Sequence, residues 1–103
     1  MTSKYPDKLQ VNVTQEHIDN GEPGRGASCP IALALRAHPL TTGDRWQVTR
    51  ISAYSYEPYS PTYTTSHRAA RFINRFDNEL PVEPSTFVFT KDKREAQWTA
   101  LHA

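Results

Sequence analysis

The sequence predicts an α+β domain, a small and mostly antiparallel sheet packed by two main helices, in the order β-α-α-β-β-α-β with a short C-terminal helix. Three observations carry this prediction. Apolar residues alternate with polar ones at Leu9, Val11 and Val13, and again at Phe87 and Phe89, which is the period-two pattern of half-buried strands. Ala69, Phe72, Ile73, Phe76 and Leu80 recur at spacings of three and four, the apolar stripe of a helix. Prolines and glycines punctuate the stretches between these segments. The chain has 103 residues, within single-domain range, and shows no repeat or linker-like tract, so 1–103 reads as one domain.

Residues 1–7 are polar, contain Tyr5-Pro6, and read as a loose N-terminal arm. Leu9 to Val13 form the first strand. Thr14 stands where a helix N-cap belongs, with Val13 and Ile18 placed as a hydrophobic staple, and this predicts a short helix over 15–20 with Gly21 as a left-handed stop. The loop GEPGRGA leads to Pro30, which suits the first turn of a second helix running from Pro30 to His38. Ile31, Ala34 and Leu35 line one face of that helix, its alanines allow close approach of another element, and Pro39 ends it.

Trp46 and Val48 share one parity while Ile51 and Ala53 share the other, so a β-bulge is expected near Thr49 or Arg50. Pro58 and Pro61 lack backbone donors and confine the tyrosine-rich stretch that follows to a sheet edge or an extended loop. Ser66 is positioned to cap the main helix, expected over 67–79, and Pro81 ends it. Thr86 to Thr90 read as the last strand. In the remaining stretch, 91–103, Asp92 and Glu95 are spaced as a capping box ahead of Trp98 and Leu101, so a short terminal helix or tail is expected there.

Composition excludes several function classes. Lys plus Arg number 12 against 11 Asp plus Glu, a formal net charge of +1, so no whole-molecule field recruits nucleic acid or anionic lipid, and charged partners must be met by a local patch. One cysteine cannot close an internal disulfide. The opening MTSKYPDKLQ has no signal-like apolar stretch and no apolar run approaches membrane-spanning length, so neither export by that route nor a membrane location is expected. Hydrophobic residues make up 37% of the chain and eleven residues are aromatic, which is enough for a modest core.

Few residues carry candidate chemistry. Cys29 precedes a helix N-terminus, where a thiolate is stabilised, and His17 is the nearest upstream candidate base, but no third residue is identified to orient the pair. Gly24-Arg25-Gly26 before the same helix could offer backbone N–H groups to an anion, although it lacks the lysine and spacing of a P-loop. The histidines at 17, 38, 67 and 102 stand in no ligand spacing with carboxylates or cysteine, so neither a metal site nor a cofactor is expected. Arg68, Arg71 and Arg75 run along one side of the main helix and could track phosphates. Tyr54, Tyr56, Tyr59 and Tyr63, interleaved with prolines, form the expected partner-binding surface, because tyrosine offers large contact area with few rotatable bonds.

The segments VTQEHIDNGEPGRGASCPIALALR and RAARFINRFDNELPVEPSTFVF together resemble a group of small, mostly uncharacterised proteins encoded by phages of actinobacteria and by their hosts. The shared features are a "VT..HI..G" opening, a "CP.A.AL" helix and a "RFI..FD...PV.P..F" ending, covering about half of the chain. Cys29 and Asp77 fall at pattern positions. The resemblance implies a phage-type accessory protein in the host cytoplasm or associated with the virion, and it carries no group activity to transfer. The leading expectation is therefore a protein that binds another protein, a host factor or phage component, without catalysis. A nucleic-acid-binding accessory using Arg68, Arg71 and Arg75 is the first alternative, and a cysteine-dependent enzyme using Cys29 and His17 the second.

Overall fold

Strand β1 (Lys8–Val13) opens the fold and is followed by helices α1 (Gln15–Asn20) and α2 (Pro30–Ala37), strands β2 (Trp46–Val48), β3 (Ser52–Ser55) and β4 (Tyr63–Thr64), helix α3 (His67–Asp77), and strand β5 (Ser85–Lys91). These elements come from a computed structural model, which describes residues 5–41, 45–56 and 60–92. The expected terminal helix with Trp98 and Leu101 lies outside the described residues. Among the described residues the fold is α+β with an antiparallel five-stranded sheet and three helices, and it contains a two-residue strand, β4, that the sequence did not suggest.

The strands lie in the order β1-β5-β4-β3-β2, every pair antiparallel. The last strand thus inserts between the first strand and the β2–β3–β4 meander. Burial alternates cleanly along β1 and β5, so Leu9, Val11, Val13, Phe87 and Phe89 face the core while Gln10, Asn12, Thr86 and Val88 face outward. One face of the sheet is covered by helices and the other meets water, as antiparallel sheets permit. Ile31, Ala32, Ala34 and Leu35 of α2 and Ala69, Phe72 and Ile73 of α3 complete the core.

Capping explains where the helices begin. Thr14 and His17 form a reciprocal capping box at α1, the thiol of Cys29 accepts from Ala32 N–H at α2, and the Ser66 hydroxyl accepts from Ala69 N–H at α3. Each satisfies a backbone donor that the first turn leaves unpaired.

Several local expectations are corrected. Gly21 is not left-handed. Its backbone is extended (φ −75°, ψ 155°), and glycine is needed because a Cβ would sit 2.7 Å from the Pro30 ring. No bulge separates Trp46 and Val48 from Ala53. The parity change is a hairpin turn in which Val48 pairs with Ala53 and the Thr49 hydroxyl accepts from the N–H groups of Ile51 and Ser52. Helix α3 stops at Asp77, short of 79. Glu79 adopts a left-handed φ of 58°, Glu79 N–H donates to Phe76 C=O, and Leu80 N–H reaches back to Arg75 C=O, together a Schellman termination built without glycine. That reversal takes Leu80 off the apolar stripe and leaves it 48% exposed. Finally, the last residues of the expected loose arm are tied down. Tyr5 is buried, the Tyr63 hydroxyl donates to Pro6 C=O at 2.7 Å, and Lys91 N–H donates to Asp7 C=O.

Candidate functional site

The tyrosines chosen as one surface separate. Tyr63, on the central strand β4, is completely buried, packs 6.2 Å from the Trp46 ring, and spends its hydroxyl on Pro6. Burial pushes its pKa up to about 12, with smaller contributions from Tyr5 and Asp7. Tyr63 is thus a core strut. Tyr59 lies outside the described residues. Tyr54 and Tyr56 remain together at the end of β3, with ring centroids 5.8 Å apart in an edge-to-face arrangement, and their side-chain hydrogen bond raises the Tyr54 pKa above its ordinary value. Tyr56 is 59% exposed, and Ile51 at the turn of the same hairpin is 79% exposed. The sequence did not single out Ile51. The alternation places it in step with Ala53, as an inward strand residue, but it stands in the turn ahead of β3 and is exposed while Ala53 is buried.

The three arginines do come together. Arg68, Arg71 and Arg75 all line one cleft of about 440 Å³ between α3 and residues 81–87, over Phe72 and Phe87. Arg68 lies 5.7 Å from the centre of the Phe87 ring and donates to Thr86 C=O. Arg75 donates through both Nε and Nη2 to Pro81 C=O, at 3.1 and 3.0 Å, and so fixes the segment that follows α3.

Cys29 and His17 are not paired. His17 turns back to its own helix start, where its Nδ1 accepts from Thr14 N–H at 3.0 Å. Cys29 is buried, with its Sγ 3.4 Å from Ala32 N and 3.8 Å from Gly26 O. Burial pushes its thiol pKa up, and Asp77 pushes in the same direction. Such a thiol is poorly ionised and poorly reached. Iodoacetamide at pH 8 should therefore label Cys29 slowly in the folded protein and rapidly in denaturant, and rapid labelling of the folded protein would contradict the packing described.

The glycine loop is also occupied from within. Gly24 N–H donates to Asp77 Oδ1 at 2.9 Å, so the protein's own carboxylate sits where an external anion was conceivable. This bond ties the loop before α2 to the end of α3, and Cys29 and Asp77 line the same cavity of about 280 Å³. Gly26 meets β2 closely there, since a Cβ would come within 2.8 Å of Val48 C=O. Among the described residues no group of three His, Cys, Asp or Glu side chains is placed to hold a metal, and no helix is long and apolar enough to cross a membrane.

No protein-family model, no curated protein and no solved structure matches the chain. Its functional reading rests on these surfaces.

Proposed function

We propose that the chain is a small accessory protein, of the phage type its sequence resembles, that acts by binding another protein and not by catalysis. Its partner is a host factor or another phage component, met in the host cytoplasm or on the virion. The contact surface is the β2–β3 hairpin, with Ile51, Tyr54 and Tyr56 as the residues that touch the partner. The observation that supports this most is the coexistence on one hairpin of a 79% exposed isoleucine and a paired, 59% exposed tyrosine. Aromatic anchors of this kind dominate protein interfaces, and water-exposed isoleucine gains from being covered.

Affinity purification from host cells tests the reading. The wild-type chain should retain a partner that the double variant Ile51→Ser, Tyr56→Ser loses, with the far-UV circular dichroism of the two unchanged. Equal retention of the partner by the variant would refute the assignment.

A further inference from the structure

The arginine-lined cleft is a second surface, remote in sequence from the hairpin, and we propose that it binds an acidic peptide segment carrying an apolar anchor. This goes beyond the hairpin reading and does not depend on it.

Charge is the first reason. In a chain of net charge +1, three guanidinium groups converge on one cleft whose lining, among the described residues, holds a single carboxylate, that of Glu83. A cleft lined by one sign of charge raises the local concentration of the opposite sign. The three arginines divide the work. Arg68 and Arg75 are held by Thr86, Phe87 and Pro81, and they shape the cleft. Arg71 is exposed and makes no hydrogen bond or ion pair with another described residue. Its planar fork is therefore open to a carboxylate, which it can grip through two parallel hydrogen bonds.

Spacing is the second reason. At 1.5 Å of rise per residue, Arg68 and Arg75 stand about 10 Å apart along α3. Alternate side chains of an extended peptide are about 7 Å apart, so two acidic residues separated by one other fit within the arginine row. Shape is the third. A neighbouring groove of about 360 Å³, lined by Ile18, Pro23, Phe76 and Leu80 and with Glu79 as its charged residue, shares Pro81 and Val82 with the arginine cleft. A peptide that lays one carboxylate on Arg71 can thus place an apolar side chain across residues 81–82 against Ile18, Phe76 and Leu80. Arg75 holds the ridge between the two by its bonds to Pro81.

The same details disfavour a nucleic acid. Single strands bind by stacking bases on aromatic faces and by pairing many phosphates with cations. Here Phe72 and Phe87 are only 6% and 3% exposed, and a single arginine of the three is unengaged.

Fluorescence anisotropy with a fluorescein-labelled nonapeptide alternating glutamate and leucine tests this, against its glutamine counterpart and a nine-residue oligothymidylate. The expected result is saturable binding of the acidic peptide, with the glutamine peptide about tenfold weaker or more, and about tenfold loss in Arg71→Ala. Arg71→Lys should recover only part of that loss, and Leu80→Asp should weaken the peptide as well. The hairpin variant Ile51→Ser, Tyr56→Ser should bind the peptide like wild type, which separates failure of this site from failure of the hairpin reading. The proposal is overturned if the peptide does not saturate, if Arg71→Ala with unchanged circular dichroism binds it equally well, or if the oligonucleotide binds as tightly.

Discussion

The two halves of the sheet use the same alternation of side chains to different ends. On one side β1 and β5 pair over six residues without interruption, and every buried inward position is a valine, leucine or phenylalanine. On the other side β2 and β3 pair over three residues, β4 contributes two, and the core is filled by Trp46, Val48, Ala53 and Tyr63. The first half is held by a row of equivalent contacts. The second is held by a few large side chains, each with a specific polar bond: Trp46 donates its indole N–H to Thr41 C=O, and Tyr63 donates to Pro6. The difference teaches that a short-stranded hairpin can be anchored by two buried aromatic residues while the Ile51 side chain at its turn and the Tyr56 side chain at its outer end stay exposed.

Tyr63 joins the halves, since β4 pairs with both β3 and β5 and the Tyr63 ring touches Trp46. The largest expected effect is therefore that of Tyr63→Ala, which should destabilise the fold by about 3–5 kcal/mol in urea denaturation, whereas Tyr56→Ala should change stability by no more than about 0.5 kcal/mol. Similar costs for both would erase the distinction between strut and surface. Ser66→Ala, which removes the cap of α3, should cost about 1 kcal/mol.

A smaller effect is confined to alkaline solution. The folded-state pKa of Tyr63 is raised to about 12, above the ordinary value of 10, so at pH 11 the folded protein retains a proton that the unfolded chain has released. The contribution is complete below pH 10 and is lost as pH rises toward 12. The thermal midpoint should fall across that window, and the fall should be shallower in Tyr63→Phe. One small effect is expected to be a gain. Glu79→Gly relieves a left-handed backbone at the end of α3 and should add about 0.5–1 kcal/mol, which thermal denaturation would show.

The sequence made the long elements legible because their periods are unbroken: Leu9 to Val13 and Phe87 to Phe89 recur at every second residue, and Ala69 to Phe76 follow the three-and-four spacing of a helix behind the Ser66 cap. It failed where a side chain or a turn replaced the usual residue. Glu79 ends α3 in a conformation normally signalled by glycine, and Gly21 serves a close approach to Pro30 instead of a left-handed turn. Thr49 folds a hairpin turn without glycine, so a change of parity looked like a bulge. The candidate sites show the same division. The arginines were legible as a row because helix geometry fixes their common side, and the structure adds Phe72, Phe87 and the ridge at Pro81 that turn the row into a cleft. The tyrosines were not separable in the sequence, because whether Tyr63 or Tyr56 points inward depends on how β4, a two-residue strand, pairs with its neighbours.

Hydrogen–deuterium exchange of the full chain, alone and bound to its purified partner, tests the division of the molecule into a scaffold and a contact hairpin most directly. Binding should slow exchange at residues 50–56, while β1 and β5, already protected, change little. Protection that leaves 50–56 exchanging at the free rate would contradict the account.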